Sequence, residues 1–221
     1  MPLLPDGRAA QPASACGAAA VNTNMIRGSR FMANQYLRSY MDALLSLEQE
    51  FDLEAVSQMI EQLKKARAER RRIFVFGNGG SASHANHIAC DLGKNVTRGE
   101  NGRFQILSIC DNMSTVTAYA NDVGFDCVFQ EQLKNMDLLE GDVILAISAS
   151  GNSPNVVNAC TYAREKKAVI LSMTGFSGGQ LKKLSDVCLH VACNEYEKVE
   201  DLHMTAIHML VSYFKKSEGA V

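Results

Sequence analysis

The sequence predicts an α/β fold: a three-layer αβα sandwich on a five-stranded, mostly parallel sheet, with a helical extension ahead of it. Three observations carry that prediction. From Arg72 onward, five short apolar runs rich in β-branched residues alternate with stretches of helical period, the pattern of strands joined by crossover helices. Two of these runs empty directly into small serine-bearing turns, GNGGS at 77–81 and SASGNSPN at 148–155. Residues 29–70 instead carry two helical patterns and no strand.

Residues 1–24 are rich in Ala, Pro, Ser and Gly without any period, so they are expected to be a disordered upstream extension, with Met25 an alternative start. Within 25–70, Phe31, Tyr36, Leu37, Tyr40, Met41, Leu44 and Leu45 recur at three- and four-residue spacing. After a break near Asp52, Leu53, Val56, Met59, Ile60 and Leu63 repeat the pattern. The first of these helices has no strand before it and is expected to pack on a neighbouring subunit, making 25–70 an oligomerisation segment. Residues 71–221 form the α/β domain. Strands are expected at 73–76, 104–109, 143–147, 168–173 and 187–191. Helices are expected near 81–92, 112–119, 127–136, 154–165 and 179–184, with a last one over about 199–215.

Composition narrows the function classes. A chain of 221 residues, 47% hydrophobic and 21% charged, can bury a full core in one domain. A net charge of -2, with Lys and Arg only in short clusters such as Lys64 and Lys65, gives no long-range attraction for nucleic acid. Seven scattered cysteines without a Cys-x-x-Cys pair read as reduced, packing thiols of a cytoplasmic protein. Pro2, Pro5, Asp6 and Arg8 interrupt any apolar core that a secretory signal would need, and no run approaches the length of a membrane span.

The two turns point to chemistry. A strand-to-helix turn aims backbone N–H groups and the positive end of the helix dipole at one spot, and serine hydroxyls add donors there. Such a spot suits an anion, phosphate above all, outside the carboxyl edge of a parallel sheet. A competing motif lies in the same place: residues 77–82 satisfy the loose G-x-G-x-x-A dinucleotide fingerprint, and Asp111 follows the next strand where a ribose-binding acid would sit. The second turn decides against it. A dinucleotide fold has no use for a second anion cradle with three hydroxyls, Ser148, Ser150 and Ser153, so no nucleotide cofactor is expected.

Five segments, GNGGSASHANHIACDL, TAYANDVGFDCVFQEQL, AISASGNSPNVVNA, MTGFSGGQL and VEDLHMTAIHML, resemble in that order the sugar isomerase (SIS) domain family. Within that family they resemble the phosphoheptose isomerases, which interconvert sedoheptulose 7-phosphate and a heptose 7-phosphate. The resemblance covers about residues 30–216 and implies a flavodoxin-like SIS fold, with 71–221 as the phosphosugar-binding domain. It implies that Asn78, Gly79 and Gly80 line the sugar and that Ser81 closes their turn. Ser148, Ser150 and Ser153, with Ala149 among them, would hold the phosphate, although Ser153 would also serve as a helix cap. Asn121 and Asp122 would touch substrate. Asp91 would be the general base of an aldose–ketose exchange through an enediol, with His208 as its partner. One zinc ion per subunit would be held by His87, Asp91, Glu200 and His208, and Asp91 and Glu200 would also meet substrate. The resemblance further implies a homotetramer with sites at subunit interfaces.

Some of this stands on the residues themselves. His87 and Asp91, four apart on one helix, share a face. His84 reaches the same region without an implied role, and His203, on the apolar stripe of the last helix, reads as a core or interface histidine. Glu200 and His208 lie eight residues apart, roughly 12 Å of rise on one helix, so they share a metal only if both lean inward, if the helix starts after Glu200, or if subunits contribute jointly. Three positions depart from the pattern: Asp91 replaces Glu, Glu200 replaces Gln and Ala149 replaces Thr. A carboxylate set back by about 1 Å costs on the order of a hundredfold in rate unless compensated. A second class of function therefore stays open, a non-catalytic SIS protein that binds a phosphosugar as a signal or serves as an interaction platform.

Overall fold

The structure is a computed structural model that describes residues 23–96 and 102–217. The expectation of disorder over 1–24 falls outside these residues except at its last two positions, where Thr23 opens a helix. The chain divides into two units, residues 1–43 and 44–221. The first unit holds most of helix α1 (Thr23–Gln49), whose Phe31, Met32, Tyr36, Leu37 and Met41 are 56% to 68% exposed. All but Met32 are among the periodic apolar positions of the sequence.

In the second unit, helix α2 (Leu53–Ala68) starts where its pattern breaks, because Asp52 accepts the Ala55 N–H at 2.9 Å and caps the first turn. Five strands follow: β1 (Arg72–Gly77), β2 (Gln105–Ser108), β3 (Val143–Ser148), β4 (Val169–Thr174) and β5 (Val187–His190). They pair in the order β2-β1-β3-β4-β5, every neighbour parallel, so the expected five-stranded sheet is present and wholly parallel. Between and after them run α3 (Gly80–Cys90), α4 (Met113–Asp122), α5 (Val128–Asn135), α6 (Pro154–Glu165), α7 (Gly179–Leu184) and α8 (Tyr196–Ser217).

Alternation along the strands builds the three layers. On β1, Ile73 and Val75 join Met59 and Leu63 of α2, Ile88 of α3 and Leu210 and Phe214 of α8 in one core. Phe74 and Phe76 face the other way, into a second core with Leu133 of α5 and Val156 and Ala159 of α6. A fully buried side chain of this size contributes about 1.5 to 3 kcal/mol, so both faces of the sheet are well held. The amino edge is pinned by buried Asp142, which accepts from the Arg72 backbone and guanidinium and from the Leu139 N–H. The opposite, carboxyl edge is left to the turns.

Strand order places those turns together. The chain steps from β1 outward to β2, then returns across β1 to β3, so β1 and β3 are neighbours at the point where the winding reverses. Crevices of open parallel sheets form at such a point.

Candidate active site

The first turn leaves β1 at Gly77. A Cβ there would sit 2.5 Å from the Ile147 carbonyl and 2.7 Å from Ser81 Cβ, so only glycine lets β1, β3 and the start of α3 approach this closely. Gly79 has φ +54° and stands just before α3, where the Ala82 and Ser83 N–H groups reach back to its carbonyl. Ser81 is buried and its N–H bonds the Asn78 carbonyl at 3.0 Å, closing the turn. Gly80 is covered from the other side: a Cβ on it would collide with the Glu200 carboxylate of α8.

The second turn leaves β3 at Ser148 and enters α6 at Pro154. Ser148 is buried and its hydroxyl lies 3.3 Å from that of Ser153; Ser150 Oγ accepts the Asn152 N–H at 3.3 Å. Ser153 caps α6 through its carbonyl, which receives the Val156 and Val157 N–H groups, and its hydroxyl makes no capping bond. The cap expected of that hydroxyl is therefore not made, and the hydroxyl faces its serine neighbour instead. The turn is braced from outside by the Gly-Phe-Ser-Gly-Gly loop at 175–179. Gly175 N–H donates to the Ala149 carbonyl, Leu181 N–H to the Gly151 carbonyl and Gln180 N–H to Asn152 Oδ1.

Asn155 joins the two turns. Its side chain is 1% exposed and forms a reciprocal amide pair with Asn78: Asn78 Nδ2 donates to Asn155 Oδ1 at 2.9 Å, and Asn155 Nδ2 donates to Asn78 Oδ1 at 3.0 Å.

Titratable groups gather where α3 passes α8. His87 Nε2 lies 3.0 Å from His208 Nε2 and 3.4 Å from Asp91 Oδ2. Ligand atoms of these three residues all fall within 4.8 Å of one another, the one metal-capable group of three or more among the described residues. Asp91 opens a turn of π-helix, Asp91–Asn95, and its other carboxylate oxygen accepts from Asn95 Nδ2 at 3.0 Å. Single π turns widen a helix locally and recur at functional sites. Asp91 thus has one oxygen fixed by Asn95 and one turned to the histidines.

The other candidate residues lie around this group. α8 begins at Tyr196, so Glu200 and His208 share one continuous helix and the route in which the helix starts after Glu200 is closed. Glu200 stands apart from the three-residue group, with its carboxylate against Gly80. Burial first, then Glu197 and Asp201, push its carboxyl above the ordinary range. Asn121 and Asp122 end α4, exposed, with Asn121 Nδ2 donating to Asp122 Oδ1 at 2.7 Å. Among the described residues neither bonds to the serine turns. His203 is fully buried, as its apolar stripe suggested. Its Nε2 meets the Thr174 carbonyl at 3.2 Å, and burial lowers its pKa to about 4, so the ring is neutral. His84, also buried, is lowered by burial and by neighbouring His87. Asn95 and Asn155 were missed from the sequence; a spacing of four after Asp91 was the available signal for Asn95, and closeness to Ser153 the only one for Asn155.

This arrangement can hold an anion at β3 and α6, hydroxyl-bearing carbons at the β1 turn, and a proton or cation between His87, Asp91 and His208. Residues 35–175 match the SIS domain family. A probable phosphoheptose isomerase of Thermoplasma acidophilum is 33% identical over 178 residues, 80% of this chain and 94% of that protein. A phosphoheptose isomerase of Helicobacter pylori is 35% identical over 157 residues, 71% of this chain and 81% of that one. Among solved structures, the phosphoheptose isomerase of Neisseria gonorrhoeae superposes with a TM-score of 0.76 at 27% identity, covering 83% of this chain and 99% of that chain. On fold, motif order and sequence alike, the chain belongs to the SIS domain family and stands among its phosphoheptose isomerases.

Proposed function

We propose that this protein is an aldose–ketose isomerase acting on a phosphorylated sugar, converting sedoheptulose 7-phosphate to D-glycero-D-manno-heptose 7-phosphate through an enediol. The observation that carries this reading is the Asp91 carboxylate, fixed by Asn95 and turned toward His87 and His208, on the helix that leaves the first serine turn. Asp91 takes the proton from the carbon beside the carbonyl and returns it to the neighbouring carbon. His208 holds a proton at a ring nitrogen and exchanges it with the carbonyl oxygen, so no full oxyanion has to persist. Asn78, Gly79, Gly80 and Ser81 face the sugar, with Glu200 over Gly80, and Asn121 and Asp122 are assigned to substrate on the resemblance. Ser148, Ser150 and Ser153, with Ala149 and the positive end of the α6 dipole, hold the phosphate, whose remote binding energy orients the reacting end.

Asp91 in place of a longer carboxylate does not tell against this role. A π turn at the residue itself changes where its Cα sits along the helix, a physical route for a short side chain to regain reach. Two imidazole nitrogens and a carboxylate oxygen within 4.8 Å are also a donor set that suits zinc with a fourth position open. His87, Asp91 and His208 would hold the ion, and Glu200, higher on α8, would reach it only by leaning inward. When bound, zinc would polarise the substrate oxygens. Protein purified without chelator is expected to carry about one zinc per chain, and His87→Ala to lose it; metal analysis that finds none in either would remove zinc from the account.

The exposed apolar face of α1 supports assembly into a homotetramer, and free thiols at all six described cysteines support a cytoplasmic setting. No helix among the described residues is long and apolar enough to cross a membrane. The reaction itself is tested by incubating the protein with sedoheptulose 7-phosphate and following the aldose anomeric proton by NMR. Its appearance supports the isomerase; tight binding without any aldose would favour the non-catalytic alternative.

A further inference from the structure

Asn155 has no part in the chemistry described so far, yet it is the most buried polar residue of either turn. The β1–β3 ladder runs out at the pairing of Gly77 with Ile147. Beyond it the two turns separate, and among the described residues no backbone hydrogen bond crosses from 78–81 to 148–155. What crosses is the amide pair of Asn78 and Asn155. Each amide donates once to the other and accepts once from it, at 2.9 and 3.0 Å. Asn155 Oδ1 also accepts the Val156 N–H at 2.9 Å, which locks the amide plane onto the first turn of α6. The pair is shielded from water on the Asn155 side, so its orientation is fixed by partners rather than by solvent.

We infer that Asn155 is a positioning residue: through Asn78 it ties the phosphate turn to the sugar turn and sets the separation between the two ends of a bound phosphosugar. This rests on the isomerase reading above. Asn155 touches neither end itself. Its effect is to make the grip on phosphate register at the reacting carbons, since a rigid link between the turns transmits position whereas two independent turns would let the sugar drift. Drift of about 1 Å between anchor and base is enough to lower a rate on the order of a hundredfold.

Two variants test this. Asn155→Ala deletes the pair. Asn155→Asp keeps the shape, the Val156 contact and one bond from Asn78 Nδ2, places a carboxylate at the start of α6, where the helix dipole favours its ionised form, and sets two acceptors face to face at Asn78 Oδ1; circular dichroism checks that each variant is folded. For each, kcat and KM are measured with sedoheptulose 7-phosphate and with unphosphorylated sedoheptulose, and inorganic phosphate binding is measured by calorimetry. The expected result is a fall of about tenfold or more in the ratio of kcat/KM between the phosphorylated and unphosphorylated sugars, carried mainly by kcat, with phosphate affinity little changed. A purely structural role would lower activity on both sugars together. An unchanged ratio in active Asn155→Asp therefore overturns the inference and leaves the isomerase reading intact. If the wild-type protein turns over neither sugar, the isomerase reading fails, and the link is read from binding: the preference for sedoheptulose 7-phosphate over inorganic phosphate should fall in both variants, and a preference that stays the same overturns the link.

Discussion

Asp91→Asn is expected to lower kcat for sedoheptulose 7-phosphate by about a thousandfold or more, while the affinity for the sugar phosphate stays nearly that of the parent. A positioned general base contributes roughly two to four orders of magnitude, and Asn keeps the shape of Asp without its capacity to take a proton. The neighbours make the substitution clean. Asn95 Nδ2, which donates to Asp91 Oδ1, can donate equally to an amide oxygen at that place, and the π turn is held by backbone. The phosphate end, anchored on β3 and α6, lies on other elements and should bind as before. Stopped assays for kcat and calorimetry for the sugar phosphate separate the two effects. Near-normal activity in Asp91→Asn would show that the base has been assigned to the wrong residue.

Gly151→Ala should be the most damaging glycine-to-alanine change among the described residues. Gly151 has φ +63°, and a Cβ on it would run into the Gly178 carbonyl, which is backbone and has no rotamer to yield. The approach is reciprocal, since a Cβ added to Gly179 would sit 2.5 Å from the Gly151 carbonyl, so the two loops meet backbone to backbone. Relieving the clash means pulling the 175–179 loop from the phosphate turn and losing the Leu181 to Gly151 hydrogen bond. A destabilisation of about 2 to 3 kcal/mol is expected from strain and the broken bond together. Thermal unfolding should register it as a drop of roughly 4 to 12 °C for a chain of this size. KM should rise as well, because the serine hydroxyls that hold the phosphate move with the turn. Gly79→Ala is the internal comparison for stability: its φ is +54°, but a Cβ there meets nothing within 4 Å, so it reads backbone strain without the collision. If both variants unfold at the same temperature, the contact between the loops contributes nothing.

The fold was legible because its determinants are local. β-branched runs marked all five strands to within about two residues at each end, and the break in the apolar pattern near Asp52 falls where α2 starts. The two turns were legible for the same reason, since a glycine-and-serine cluster between a strand and a helix has few other uses. Features that depend on which strands become neighbours were not. Asn78 and Asn155 are 77 positions apart and meet only because β3 returns to the side of β1. The brace from Gly175, Gln180 and Leu181 requires β4 beside β3. The π turn at Asp91 has no periodic signature, because it ends the helix and, among the described residues, no helical turn directly follows it to show a shifted apolar pattern. The placement of Glu200 was half legible: its rise above His208 follows from counting residues, but its position over Gly80 depends on how α8 packs against α3.

The central claim is that Asp91 and the histidines beside it move a proton between adjacent carbons of a sugar held at the far end by its phosphate. The most direct test is to run the reaction on sedoheptulose 7-phosphate in deuterium oxide and to locate the label by NMR and mass spectrometry. The account predicts one deuterium at the carbon next to the carbonyl, in the aldose product and in recovered ketose, and none when Asp91→Asn replaces the parent. Binding of the sugar phosphate without any deuterium entering either sugar would contradict it.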